Sequence, residues 1–154
     1  VKGNIRLRDV MCGIGDALVE LDVHETHGSN RGEVCDRIEL RGGGKLGDPY
    51  CCFTYDFIYE VACKRVGIKP AFNPGGSSSR LVKIAEGLNR ITTEPHAGDA
   101  VVFRGGPTGY KHTAMAYGDL IDGKIEIIEG NAGNTIRKRT LDTTKEPVVY
   151  ITVN

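Results

Sequence analysis

The sequence predicts an α+β fold, with N-terminal helices packed on a mainly antiparallel β-sheet of about five to six strands. Two observations carry this. The first half repeats apolar residues at helical spacing, and from Ala97 onward the period changes to short, β-branched-rich runs separated by turns. The 21 glycines support the same division, clustering at Gly42–Gly44, Gly75–Gly76, Gly105–Gly106 and Gly130–Gly133, between elements and not within a low-complexity tract. At 154 residues a single domain spanning 1–154 is expected, large enough to bury its own core.

In chain order, Ile5 to Leu21 places Val10, Met11, Ile14, Ala17, Leu18 and Leu21 on one face of a first helix. A polar loop, 24–32, follows. A shorter helix over Glu33 to Leu40 turns Val34, Ile38 and Cys35 toward the core. After the Gly-rich loop 42–47, Asp48 is expected to cap a third helix with Pro49 in its first helical position. This helix runs to about Val66, with Gly67 as its C-terminal stop and Pro70 beyond. Ser77 to Ser79 cap a fourth helix, Arg80 to Leu88. The expected strands are Asp99–Arg104, His112–Tyr117, Lys124–Glu129, Thr135–Thr140 and Val148–Val153.

Lysine plus arginine number 20 and aspartate plus glutamate 20, so net charge gives no reason to expect a nucleic-acid partner. Five cysteines, without a C-x-x-C pair, exclude a complete disulfide framework, argue against a zinc ribbon and suggest synthesis in a reducing compartment. No apolar run approaches the roughly 20 residues of a membrane span. The N-terminus shows no signal peptide, so synthesis in the cytoplasm is the expectation.

The third helix carries the chemistry. Cys51 falls in its first turn, where free N–H groups and the positive dipole end lower a thiol's pKa. Such a thiol needs a base. Of the four histidines only His112 opens a strand, and alternation puts His112, Ala114 and Ala116 on one face. In the next strand Ile125, Ile127 and Glu129 share a face, continued by Asn131. If residues 112 and 129 pair, the faces agree: the small alanines let a helix approach, and His112 sits beside Glu129 and Asn131. A thiol, an imidazole and a third group that orients the ring are the parts of a cysteine nucleophile, and amides at the helix start can hold an oxyanion.

Gly47-Asp48-Pro49-Tyr50-Cys51, Pro95 to Phe103, His112-Thr113-Ala114-Met115-Ala116 and Ile128-Glu129-Gly130-Asn131 resemble, in that order, the CHAP branch of the NlpC/P60-type, papain-like peptidoglycan hydrolases. The upstream Glu25-Thr26-His27-Gly28-Ser29-Asn30-Arg31-Gly32 is similar to a leader found in many of them. The resemblance covers about residues 15 to 135. It implies a papain-like fold, Cys51 as nucleophile, His112 as base, Glu129 or Asn131 as the third residue (Glu129 favoured), and Tyr50 and Asp48 on the substrate side. It also implies hydrolysis of an amide in bacterial peptidoglycan without metal or organic cofactor, by an enzyme delivered by phage or secreted to the cell wall. The chain departs from the family pattern at Tyr50 (usually tryptophan), Cys52 (alanine) and Thr54 (phenylalanine).

Other features have plainer expectations. Cys12, Cys35, Cys52 and Cys63 are expected as small buried residues. His24 and His27 lie in a polar loop without the helical spacing of a metal motif, and His96 is a turn residue. Arg137-Lys138-Arg139 reads as a solvated strand edge. Two alternatives stand beside the hydrolase: a catalytically silent wall-binding or phage-tail module on the same scaffold, and an amidohydrolase or deamidase effector acting on a non-wall amide.

Overall fold

The computed structural model describes residues 5–154; residues 1–4 of the expected domain lie outside the described residues. The elements are α1 (Ile5–Glu20), α2 (Glu33–Arg41), α3 (Cys51–Val66), α4 (Ser78–Gly87), β1 (Ile91–Thr92), β2 (Ala100–Arg104), β3 (Tyr110–Ala116), β4 (Lys124–Ala132), β5 (Thr135–Asp142) and β6 (Val148–Ile151). The strands form one antiparallel sheet of order β1-β6-β2-β3-β4-β5. The α+β class and the helix-then-strand order follow the sequence prediction. The two-residue β1 was not anticipated.

α3 is the central element. It packs against α1 on one side and β3 and β4 on the other, so it is buried nearly all round. Gly67 ends it at φ 75°, with the Ile68 amide donating back to Cys63 O at 3.0 Å. α1 buries Leu7, Met11, Ile14 and Leu18; Leu21 falls beyond the helix end and is exposed, contrary to expectation. Gly15 lets α1 close on the sheet, because a Cβ there would meet Ile128 Cδ1 at 2.8 Å and Met115 Cε at 3.0 Å. Ser77 caps α4 as expected, accepting from the Arg80 amide at 3.2 Å.

The sheet is buried on both faces. Ala100, Val102, Met115, Ile128 and Ile151 face the helices. Val101, Phe103, Ala114, Ala116, Ile127 and Tyr150 form a second core behind. Ala114 and Ala116 therefore do not admit a helix, as the sequence had suggested; they line this second core. The sheet is rolled: Arg139 on β5 bonds Glu146, just before β6, at 3.1 Å, although β2, β3 and β4 stand between those strands in the sheet order.

The β3–β4 hairpin forms as expected but pairs Ala114, not His112, with Glu129. The shift is two residues. Because side chains alternate with period two, His112 and Glu129 remain on one face as diagonal neighbours, within reach of long side chains.

Candidate active site

The thiol sits where β3 and β4 part. Their pairing covers Ala114–Ala116, and Thr113 would next face Gly130. There the first turn of α3 enters. Gly130 has no side chain, and Thr54 of α3 occupies the space where a Cβ would stand. The Thr113 amide turns to the Cys51 sulfur, as does the amide of Cys52. The departure at Thr54 thus has a packing role: its hydroxyl donates to Tyr50 O at 2.6 Å while the residue abuts Gly130.

Asp48 does not cap α3. Its carboxylate accepts from the Lys45 amide at 2.8 Å and closes the preceding turn, so the helix starts later, with Tyr50 as N-cap and Cys51 as first helical residue. The Cys52 amide, next along the first turn of α3, consequently reaches the Cys51 sulfur.

His112 links the thiol to the sheet. Its Nε2 stands 3.0 Å from Glu129 Oε1, which leaves Nδ1 for the hydrogen bond with Cys51. The Phe103 ring packs against the imidazole at 5.0 Å between centroids, in an edge arrangement. Glu129 is 2% exposed and His112 20%. Burial pushes the Cys51 thiol up, but the hydrogen bond and charge of His112, with the Thr113 and Cys52 amides, outweigh it and bring the thiol below its ordinary value. Burial lowers His112, yet its bonds to Cys51 and Glu129 raise it to about 9. Glu129, opposed by burial, is held down to about 2 by His112 and Arg139. The arrangement favours a thiolate–imidazolium pair oriented by a carboxylate that is charged near neutral pH.

The structure therefore brings Cys51, His112 and Glu129 together. Asn131 occupies the β4 irregularity at φ 55°, and among the described residues no hydrogen bond joins its side chain to His112. Tyr50 is not on the substrate side, being wholly buried. Its hydroxyl lies beside the Cys35 thiol and the Asn131 backbone without a well-formed hydrogen bond. Cys52 is also wholly buried, and burial pushes its thiol up to about 12, so of the two adjacent thiols Cys51 is the one beside His112 and lowered by it.

Three features escaped the sequence reading. Arg137-Lys138-Arg139 does lie on the edge strand β5, with Arg137 49% exposed, but the two arginines are not free in solvent. Both reach Glu129, Arg137 Nε at 3.1 Å and Arg139 Nε at 2.6 Å, while Lys138 projects to the other face and bonds Asp16 at 2.9 Å. Strand alternation contained that signal, once β5 was paired with β4. The polar loop 24–32 is a brace: Glu25 Oε2 accepts from the Asn30 amide at 2.9 Å, and Asn30 Nδ2 donates to Gly47 O at 3.0 Å, ahead of the cysteine helix. Asp99 in the Pro95–Phe103 motif is buried, accepting from Arg8 at 2.7 Å and from the Val153 amide at 3.1 Å, so it ties α1 to the chain's last residues.

His24 and His96 pair with Asp22 and Asp119 at the surface, at 2.9 Å and 3.0 Å. Among the described residues no group of three or more His, Cys, Asp or Glu is placed to hold a metal ion. No described helix is long and apolar enough to cross a membrane. Compared with family models, with curated proteins and with solved structures, the chain matches none.

Proposed function

We propose that this protein is a cysteine hydrolase that cleaves an amide bond of bacterial peptidoglycan, acting as a cell-wall amidase or endopeptidase of papain-like type. The observation that carries this is the continuous contact from Cys51, at a helix start, through His112 to the buried, ionised Glu129. Binding alone has no use for a thiol lowered by an imidazole whose other nitrogen is fixed by a carboxylate. The order of motifs resembling the CHAP group supplies the substrate class.

In this mechanism the Cys51 thiolate attacks the amide carbonyl carbon. The tetrahedral oxyanion is held by the first amides of α3. The His112 imidazolium protonates the departing amine through Nδ1 as the C–N bond breaks, leaving a thioester on Cys51. Neutral His112 then takes a proton from water, and the resulting hydroxide attacks the thioester. The carboxylic acid leaves and the thiolate–imidazolium pair is restored. Glu129 stays charged throughout and keeps the ring in one orientation.

The test is digestion of purified peptidoglycan from several wall types by the wild type and by Cys51→Ala, with mass spectrometry of released fragments. Fragments made only by the wild type are expected, and their masses name the bond. Wild-type preparations with a reactive Cys51 that release nothing from any wall overturn the wall substrate in favour of a non-wall amide. Release by both proteins overturns the cysteine mechanism.

A further inference from the structure

We propose that Arg139 is a positioning residue of this site, holding the Glu129 carboxylate so that Oε1 stays aimed at His112 Nε2. The inference rests on the hydrolase reading and extends it to a residue outside the Cys51–His112–Glu129 set.

The geometry singles out Arg139 among the cations of β5. It grips both carboxylate oxygens of Glu129, with Nε 2.6 Å from Oε2 and Nη2 3.3 Å from Oε1. Two bonds from a planar fork fix the plane of a carboxylate, as one bond does not. The guanidinium is itself held. Nη1 donates to Glu146 at 3.1 Å, and the group stands 5.7 Å over the Phe103 ring, the same ring that packs on His112. Arg137 offers Glu129 only its Nε and is 49% exposed, against 27% for Arg139, so solvent screens it more. Lys138 lies on the other face of the strand.

The charged and titratable groups around Glu129 are thus His112 from β3 and Arg137 and Arg139 from β5, with Cys51 of α3 beyond His112 and Glu146 beyond Arg139. Without Arg139 the carboxylate is free to swing to Arg137. Being buried, it also takes up a proton more readily. Either event removes the anion that orients and stabilises the imidazolium.

The test uses the full chain and needs no wall substrate. The rate constant for alkylation of Cys51 by iodoacetamide is followed against pH for the wild type, Arg139→Leu, Arg139→Lys and Lys138→Ala, with a melting temperature for each. The expected result for Arg139→Leu is a neutral-pH rate lower by about tenfold or more, and an acid limb moved up by on the order of one pH unit. Arg139→Lys restores the charge and returns the limb, but lacks the fork and stays slower than the wild type. Lys138→Ala keeps the wild-type profile. A folded Arg139→Leu with wild-type rate and limb overturns the proposal. If Arg139→Leu does not fold, an Arg139→Lys rate equal to wild type overturns it instead. A wild-type Cys51 no more reactive than an ordinary thiol overturns the hydrolase reading itself, which is a different result from unmoved variants of a reactive wild type.

Discussion

Gly130→Ala tests how the site is assembled. Gly130 has an ordinary backbone conformation, so the substitution adds volume without backbone strain. The new Cβ falls on Thr54, with Thr54 Cβ at 2.9 Å, Cγ2 at 3.3 Å and the hydroxyl oxygen nearer still. Thr54 cannot yield cheaply. Its side chain is short, and rotating it loses the hydrogen bond to Tyr50 O. Overpacking of this kind costs about 1–3 kcal/mol, and the lost bond about 1 kcal/mol more. Together these correspond to a melting temperature lower by roughly 5–15 °C for a chain of this size. The alternative is retreat of the first turn of α3 from β4, which displaces Cys51 from His112. A displacement near 1 Å is worth about a hundredfold in rate. The assay is thermal unfolding combined with Cys51 alkylation. Adding Thr54→Ala removes the nearest atom and should recover part of both losses, a coupling that independent sites do not show. A Gly130→Ala protein with wild-type melting and wild-type thiol reactivity would refute the packing argument.

Other outcomes follow from the same contacts. Glu129→Gln removes the buried anion that His112, Arg137 and Arg139 share, leaving Arg139 only Glu146, and should lower stability by about 1–3 kcal/mol, together with a large loss of wall digestion; Asn131→Gly, which suits the positive φ, should leave digestion near wild type. Asp56 is buried and its carboxyl is raised by burial to about 6, partly offset by the Gly75 amide. Its folded value exceeds its unfolded one, so the fold favours the protonated acid: that stability is full below about 3.8 and is lost as pH rises through about 6. Asp56→Asn should accordingly be the more stable protein at pH 7.5, by about 1–3 kcal/mol, in denaturant titrations, with the difference disappearing below pH 4. The Glu129 carboxyl has the opposite sign: lowered from 4.5 to about 2, it contributes stability above about 4.5 that is lost as pH falls toward 2, and Glu129→Gln should abolish that part of the acid dependence. Cys52→Ala should cost about 1 kcal/mol from lost burial while digestion persists.

The helices were legible because their apolar spacing and punctuation are local: Ser77 and Gly67 act where the sequence placed them. The start of α3 was not, because the Asp48 carboxylate is taken by the Lys45 amide, a competition between two neighbouring turns that cap preference alone does not resolve. The His112–Glu129 pairing survived a two-residue error in register because alternation preserves the face. The role of the alanines was hidden for a different reason: a sequence does not say that a sheet rolls and buries its second face. Tyr50 was expected on the substrate side through the family resemblance alone. Side-chain direction at a helix start depends on the whole first turn, and there it points into the core. Arg137 and Arg139 are exposed by composition and bound by context: nothing local to β5 reveals a buried carboxylate on its neighbour.

The central claim is that Cys51 is an activated nucleophile, and selective alkylation tests it most directly. Iodoacetamide is added below stoichiometry at about pH 6 and the modified residue is identified by peptide mapping. Accessibility alone favours Cys12, which is half-buried, over Cys51 at 9% exposed. Activation favours Cys51, because burial and the neighbouring Asp16 push the Cys12 thiol up to about 11 while His112 brings Cys51 down. Label on Cys51 alone, in step with loss of wall digestion, is the result predicted. Label on Cys12 first, or spread over several cysteines with digestion intact, would contradict the account.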